Sequence, residues 1–235
     1  MTDPISDLLL ERNNQYLAFN KPAGLNVQPT DEDATSLLKM ASAYAKRSVF
    51  LLHRLDRPVS GVVLFPKTKN ALQHFEEQWR NATVRKTYLA LVKNPPAAPS
   101  GTLVHHLRHD TRRRRSEVVA EGTKNAKRAE LNYRLLATGN VYSLLEVELI
   151  TGRFHQIRVQ LAAVGSPVRG DVKYGARRGN RDLSIGLHAW KLAFDHPASG
   201  ERTEVVAPPP PAQPWADLWN EVTTNAPDAA GEADS

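Results

Sequence analysis

Cysteine is absent from this 235-residue chain. That excludes disulfides, thiolate zinc sites and a cysteine nucleophile, and it fits a reducing compartment. No segment approaches the roughly 18 consecutive apolar residues of a membrane-crossing helix. The first seven residues, Met1 to Asp7, lack the basic stretch and apolar run of a secretory signal, so a soluble, cytoplasmic protein is expected. A glycine-rich phosphate loop and a Gly-x-Ser-x-Gly nucleophile elbow are also missing. Residues 221–235 lack Lys and Arg while holding Glu221, Asp228, Glu232 and Asp234.

The rest is basic. Against 25 Asp and Glu stand 31 Lys and Arg, a net charge of +6 that becomes +10 once those four acids are set aside. Such a body suits a polyanionic partner, nucleic acid before an anionic membrane surface. Apolar alternation and turn residues predict strands at 8–10, 16–19, 49–52, 62–65, 84–92, 129–136, 142–150, 187–194 and 203–206. Helical spacing predicts helices at 35–46, 68–80, 153–164 and 215–222. Residues 94–101 read as a proline-rich turn, and 103–134 as a basic stretch that is strand-like only at 129–136. Strands outnumber helices and do not alternate regularly with them. The class is therefore α+β, a mixed, mostly antiparallel sheet flanked by helices and loops. No repeat or linker divides 5–207.

Three segments could carry chemistry. In His53-Arg54-Leu55-Asp56-Arg57 a carboxylate lies between two guanidinium groups, on a loop between expected strands, and the run ends at Gly61. Neighbouring cations favour the charged form of an acid, and an ionised, positioned carboxylate can act as nucleophile or general base. From these residues alone an ordinary Arg–Asp pair on a turn reads equally well. In Arg85-Lys86-Thr87-Tyr88, Lys86 and Tyr88 share one strand face. A tyrosine beside cations can stack on a base and relay a proton; the plainer reading is a half-buried strand tyrosine with a bonded hydroxyl. In 151–161, Arg158 lies at the border of the helix face marked by Ile157 and Leu161, within reach of a buried carboxylate, while Arg153 in the first turn is better placed for a phosphate. Solvated arginines on a surface helix are the alternative there. Arg112, Arg113, Arg114 and Arg115, with His105, His106, Arg108 and His109 upstream, form a patch suited to a phosphate backbone, or a solvated loop. No metal is expected, since only Asp110 joins the three histidines.

Together these segments resemble the RluA-type family of RNA pseudouridine synthases. Its members carry His-Arg-Leu-Asp, a small residue and Ser-Gly, then Lys-x-Tyr, then Gly-Arg-x-His-Gln-x-Arg, in this order. Here these read 53–61, 86–88 and 152–158, and the stretches 16–24, 165–175 and 187–189 are similar too, so the resemblance covers about 8–210. It implies a single pseudouridine-synthase-like catalytic domain over 5–210, before a short helix within 211–222 and a disordered acidic tail at 223–235. It also implies conversion of uridine to pseudouridine in structured RNA, ribosomal or transfer, with no cofactor; a monomer is expected. Asp56 would be the catalytic carboxylate, Tyr88 would stack near the uracil and assist proton transfer from C5, and Arg158 would pair with Asp56. Leu187 would line the base pocket, and Arg54 would fill the gap left by the flipped uridine. The cations Lys86, Arg153 and Arg112 to Arg115 would hold RNA. Val59, Phe154 and Gln160 depart from the usual Thr, Thr/Ser/His and His, which puts substrate choice in question. The chain begins at the catalytic domain, so the grip is expected from 105–115. A catalytically silent RNA-binding protein on the same fold is the rival reading, and a metal-dependent hydrolase built on the histidines a third.

Overall fold

The computed structural model describes residues 5–31 and 33–224. Strand β1 (Leu9–Arg12) turns into β2 (Tyr16–Lys21), and helix α1 (Leu37–Ala45) follows. The α1 N-terminus is capped by Ser36, whose hydroxyl accepts from the Lys39 amide. Strand β3 (Ser60–Pro66) leads to α2 (Lys69–Arg80), capped in the same way by Thr68. Then come β4 (Arg85–Val92), β5 (Ser100–Asp110), β6 (Arg115–Val119), β7 (Lys127–Thr138) and β8 (Ser143–Leu149). Helix α3 (Gln156–Ala163), strands β9 (Leu187–Asp195) and β10 (Arg202–Val206), and helix α4 (Trp215–Thr224) complete the described chain. The acidic tail expected from 223 lies, from 225 on, outside the described residues.

The strands form one sheet in the order β1-β2-β3-β9-β4-β8-β7-β5-β6, with β10 paired to the far half of β9. All these pairings are antiparallel except β3–β9. Period-2 alternation sorts side chains onto two faces. Val63 and Phe65 of β3 enter the larger core, which also holds Leu37 of α1 and Ile157 and Leu161 of α3. Val62 and Leu64 join Phe75 of α2 in the core behind the sheet. On β4, Leu89 and Leu91 pack on Trp215 and Leu218 of α4.

The β3–β9 contact sets up the site. Ser60 pairs with His188 and Gly61 with Ala189, and Tyr88 of β4 pairs with Ala189 from the other side. The starts of β3 and β9 are thus brought beside Tyr88. Gly61 has φ +117, and a Cβ there would stand 2.2 Å from the Ala189 carbonyl oxygen, so only glycine allows this approach.

Three expectations are corrected. Residues 49–52 are not a strand: the Phe50 amide bonds to the Pro66 carbonyl at 2.9 Å, but no ladder forms. The basic stretch is not mostly loop, because β5 and β6 form a hairpin whose paired backbones need no apolar alternation. Val104 and Val118 are exposed on it and Leu107 is its deep anchor. Helix α3 begins at Gln156 rather than 153, since His155 before it has φ +53, a left-handed conformation that no helix continues.

Candidate active site

Asp56 sits on the loop entering β3, and several backbone contacts fix that loop. The His53 ring stacks on Trp79 with centroids 5.4 Å apart, and its Nε2 accepts the Leu64 amide at 3.0 Å. Lys21 is fully buried beneath the loop and donates to the carbonyls of Pro22 (2.9 Å), Leu25 (2.8 Å) and Arg57 (3.3 Å). Burial pushes its ammonium down to about 7, against the pull of Asp56. Arg57 and Gly24 bond reciprocally: the Gly24 amide donates to the Arg57 carbonyl at 2.7 Å, and Arg57 Nε to the Gly24 carbonyl at 2.9 Å. The flanking arginine therefore clamps backbone instead of pairing with Asp56.

The partner of Asp56 comes from α3. Arg158 Nη1 donates to Asp56 Oδ2 at 2.8 Å, while its Nε and Nη2 donate to Asp171 at 2.6 and 2.9 Å. Expected at the border of the helix face, Arg158 is in fact buried along with its neighbours Gln156 to Leu161. Burial opposes its charge, but the two carboxylates outweigh that and raise its pKa. His155 Nε2 lies 3.2 Å from the same Asp56 Oδ2. Asp56 Oδ1 receives no donor among the described residues, and the side chain is 29% exposed. The carboxylate is thus gripped by one oxygen and open at the other.

Beside it Asp56, Val59, Tyr88, Leu149, Ile157 and Leu187 line an inner pocket of about 100 Å³. Tyr88 makes no hydroxyl hydrogen bond among the described residues, unlike an ordinary half-buried strand tyrosine, and burial with the nearby Asp56 charge pushes its pKa up. The pocket opens into a cleft of about 1390 Å³ bordered by Arg54, Lys86, Arg114, Arg153 and Phe154. Burial lowers the Lys86 pKa, and Arg54 is exposed. Arg153 lies ahead of α3, not in its first turn, and donates from Nε to the Arg128 carbonyl at 3.1 Å.

The four hairpin arginines part company. Arg112 and Arg114 are exposed at the tip, Arg113 Nε stands 3.7 Å from Asp110, and the Arg115 guanidinium lies 5.5 Å from the centre of the Tyr174 ring. Only Arg114 of the four borders the cleft. The histidines disperse: His105 contacts Gln160 at 3.1 Å, His106 faces Glu121 at 3.7 Å, and His109 packs on Phe154 at 4.3 Å. Among the described residues no group of three or more His, Cys, Asp or Glu could hold a metal. Of the three departures, Val59 and Phe154 line the pocket or cleft. Gln160 does not; it is fully buried and bonds the Leu103 and Ala129 carbonyls, so its role is to hold α3 to the sheet.

Sequence reasoning gave no role to Lys21, His155, Asp171 or Tyr174. All four lie inside the stretches that carried the resemblance, and this was the signal that could have found them. Gln156 explains part of the third motif. Its Oε1 accepts from Thr151 and from the Arg153 amide while its Nε2 donates to the Glu130 carbonyl, pinning the turn into α3.

A family model described as RNA pseudouridylate synthase matches residues 15–163. Over 194 residues the chain is 35% identical to a Mycoplasma pneumoniae protein named uncharacterized RNA pseudouridine synthase MG209 homolog, with 81% of this chain and 62% of that protein covered. Over 218 residues it is 30% identical to ribosomal large subunit pseudouridine synthase C of Vibrio vulnificus, covering 87% and 66%. The chain thus spans less than two thirds of the length of these relatives. Among solved structures, human RNA pseudouridylate synthase domain containing 4 shares the fold, with TM-score 0.73 and 23% identity over 93% of this chain and 94% of that one.

Proposed function

The chain belongs to the RNA pseudouridylate synthase family, and from that premise we propose that it isomerises uridine to pseudouridine in structured ribosomal or transfer RNA with Asp56 as the reacting carboxylate. One observation carries this reading. Asp56 is bonded through Oδ2 by Arg158, with His155 Nε2 in contact at 3.2 Å, while among the described residues neither its Oδ1 nor the Tyr88 hydroxyl has a hydrogen-bond partner, and both residues line a pocket of about 100 Å³. The isomerisation breaks the bond from the ribose C1′ to uracil N1, turns the ring, and forms a bond from C1′ to C5. The C5 proton is lost and N1 gains one, so no atom is added or removed and no redox partner is needed. Asp56 Oδ1 can attack the nucleoside or take a proton to start this sequence. Tyr88 borders the ring and can help carry the C5 proton.

Chemistry at this bond needs the base out of the stack. Arg54 at the mouth can fill the space it leaves, and Lys86, Arg114 and Arg153 around the cleft can hold the phosphates. Every group this reading uses comes from one chain, so it requires no second copy. The name of the Vibrio relative favours ribosomal over transfer RNA. The test is tritium release from RNA containing 5-tritiated uridine. The native protein is expected to release tritium, and Asp56→Asn, folded by circular dichroism, none above background. Full release by Asp56→Asn would overturn the assignment.

A further inference from the structure

We propose that His155 is a positioning residue for Asp56, that Tyr174 fixes its tautomer, and that this relay ties the carboxylate to the basic hairpin. It rests on the reading of Asp56 as the reacting group. The chain of contacts begins in β6. The Ser116 amide donates to the Tyr174 hydroxyl oxygen at 2.8 Å, and that hydroxyl stands 2.8 Å from His155 Nδ1. Since Ser116 already supplies a proton to the tyrosine oxygen, the Tyr174 proton is free to point at Nδ1. A neutral ring that accepts at Nδ1 carries its own proton on Nε2, which faces Asp56 Oδ2 at 3.2 Å. This is the one neutral tautomer that places a donor, not a lone pair, against the carboxylate.

The surroundings hold the ring in that state. Phe154 lies 3.9 Å from it, centroid to centroid, at an interplanar angle of 19°, and is itself backed by His109 of β5. Asp56, Asp171, Arg158 and Lys173 are the charged groups around it, and burial outweighs them to keep the ring neutral near pH 7. The backbone at His155 is left-handed, φ +53, a conformation uncommon for residues other than glycine. The hairpin is fastened to the same turn by the Ser116 hydroxyl, which donates to the Phe154 carbonyl at 2.6 Å, and by Lys173 Nζ, which donates to the Arg114 carbonyl at 3.1 Å. The hairpin that carries Arg112 and Arg114 is thereby fixed to the group that orients Asp56.

Three variants test this in single-turnover tritium release, with RNA affinity and melting temperature measured alongside. The amide nitrogen of Gln can stand near the place of Nε2, and that of Asn near Nδ1. His155→Gln is expected to keep its rate within about fivefold of native, as one donor to a charged group is retained. His155→Asn and Tyr174→Phe are expected to lose about ten- to a hundredfold with RNA affinity within about twofold. Asn tolerates the left-handed backbone better than Gln, so a structural role would rank the two His155 variants in the opposite order. Rates that follow melting temperature, losses confined to RNA affinity, or three native-like rates would overturn the proposal. Native-like rates in these variants while Asp56→Asn is dead would remove only the relay; an active Asp56→Asn would remove the reading beneath it.

Discussion

Arg158 divides its guanidinium between two carboxylates in unlike surroundings. Asp171, with its side chain 1% exposed, takes Nε and Nη2, while Asp56, 29% exposed, takes Nη1 alone. Removing Asp171 leaves the buried Arg158 charge with the partly exposed Asp56 as its one carboxylate partner and two unpaired donors, at a cost near the lower end of the about 3–5 kcal/mol of a broken buried pair. Asp171→Ala should lose stability on that scale in urea unfolding. Asp56→Asn leaves the Arg158–Asp171 pair whole and keeps an oxygen for Nη1, so its change should stay below about 1 kcal/mol. Equal losses in the two variants would refute this division of labour between an anchor and a reactive acid. Asp56, Tyr88 and Arg158 stood out as candidates in short charged and apolar runs, but those runs left structural alternatives open and only the family resemblance of the three motifs together gave them roles. Asp171 and Tyr174 could not be given roles from such runs. Tyr174 ends a 3-10 turn after α3 and Asp171 immediately precedes that turn, and only the folded chain brings them back to His155 and Arg158.

At the scale of elements, the β5–β6 hairpin was the least legible part. Sequence periodicity reports burial, and this hairpin buries little beyond Leu107, so its strands read as a charged loop. Central strands such as β3 and β4, buried on both faces, stood out as apolar runs. The hairpin also distributes its four arginines to different tasks. Arg112 and Arg114 extend from the tip without a side-chain partner among the described residues, whereas Arg113 is held near Asp110 and Arg115 lies over Tyr174. If the two free cations contact phosphates, each releases counterions on RNA binding. Replacing both by Gln should reduce the slope of log K against log salt by about 1.5. Arg113→Gln should change it by less than half as much. Equal slopes for the double variant and the native protein would place the RNA elsewhere.

Across the whole molecule, three histidines in separate places are kept neutral chiefly by burial. His53 Nε2 accepts the Leu64 amide, and His155 Nδ1 stands 2.8 Å from the Tyr174 hydroxyl, which can donate to the neutral ring. His188 donates from Nε2 to the Ala207 carbonyl, and in the neutral ring its Nδ1 accepts the Ser60 hydroxyl. The α+β class was readable from strand count, but the place of His188 beside Ser60 depends on the parallel β3–β9 contact, which no local pattern announces. Burial above all pushes each of the three down to about 4. In the unfolded chain a histidine titrates near 6.5. Between those values the unfolded state binds more protons than the native one, so stability rises with pH there. It is complete above pH 6.5 and lost as pH falls toward 4, on the order of 3 kcal/mol per histidine. Urea unfolding between pH 5 and 6.5, above most carboxylate titration, should therefore show stability falling with acid and an uptake approaching about three protons near the lower limit. His188→Gln, whose amide can still bond the Ala207 carbonyl, should lower that uptake by about one. A pH-independent stability over this range, or an uptake unchanged by His188→Gln, would mean that these rings are not held neutral by the fold.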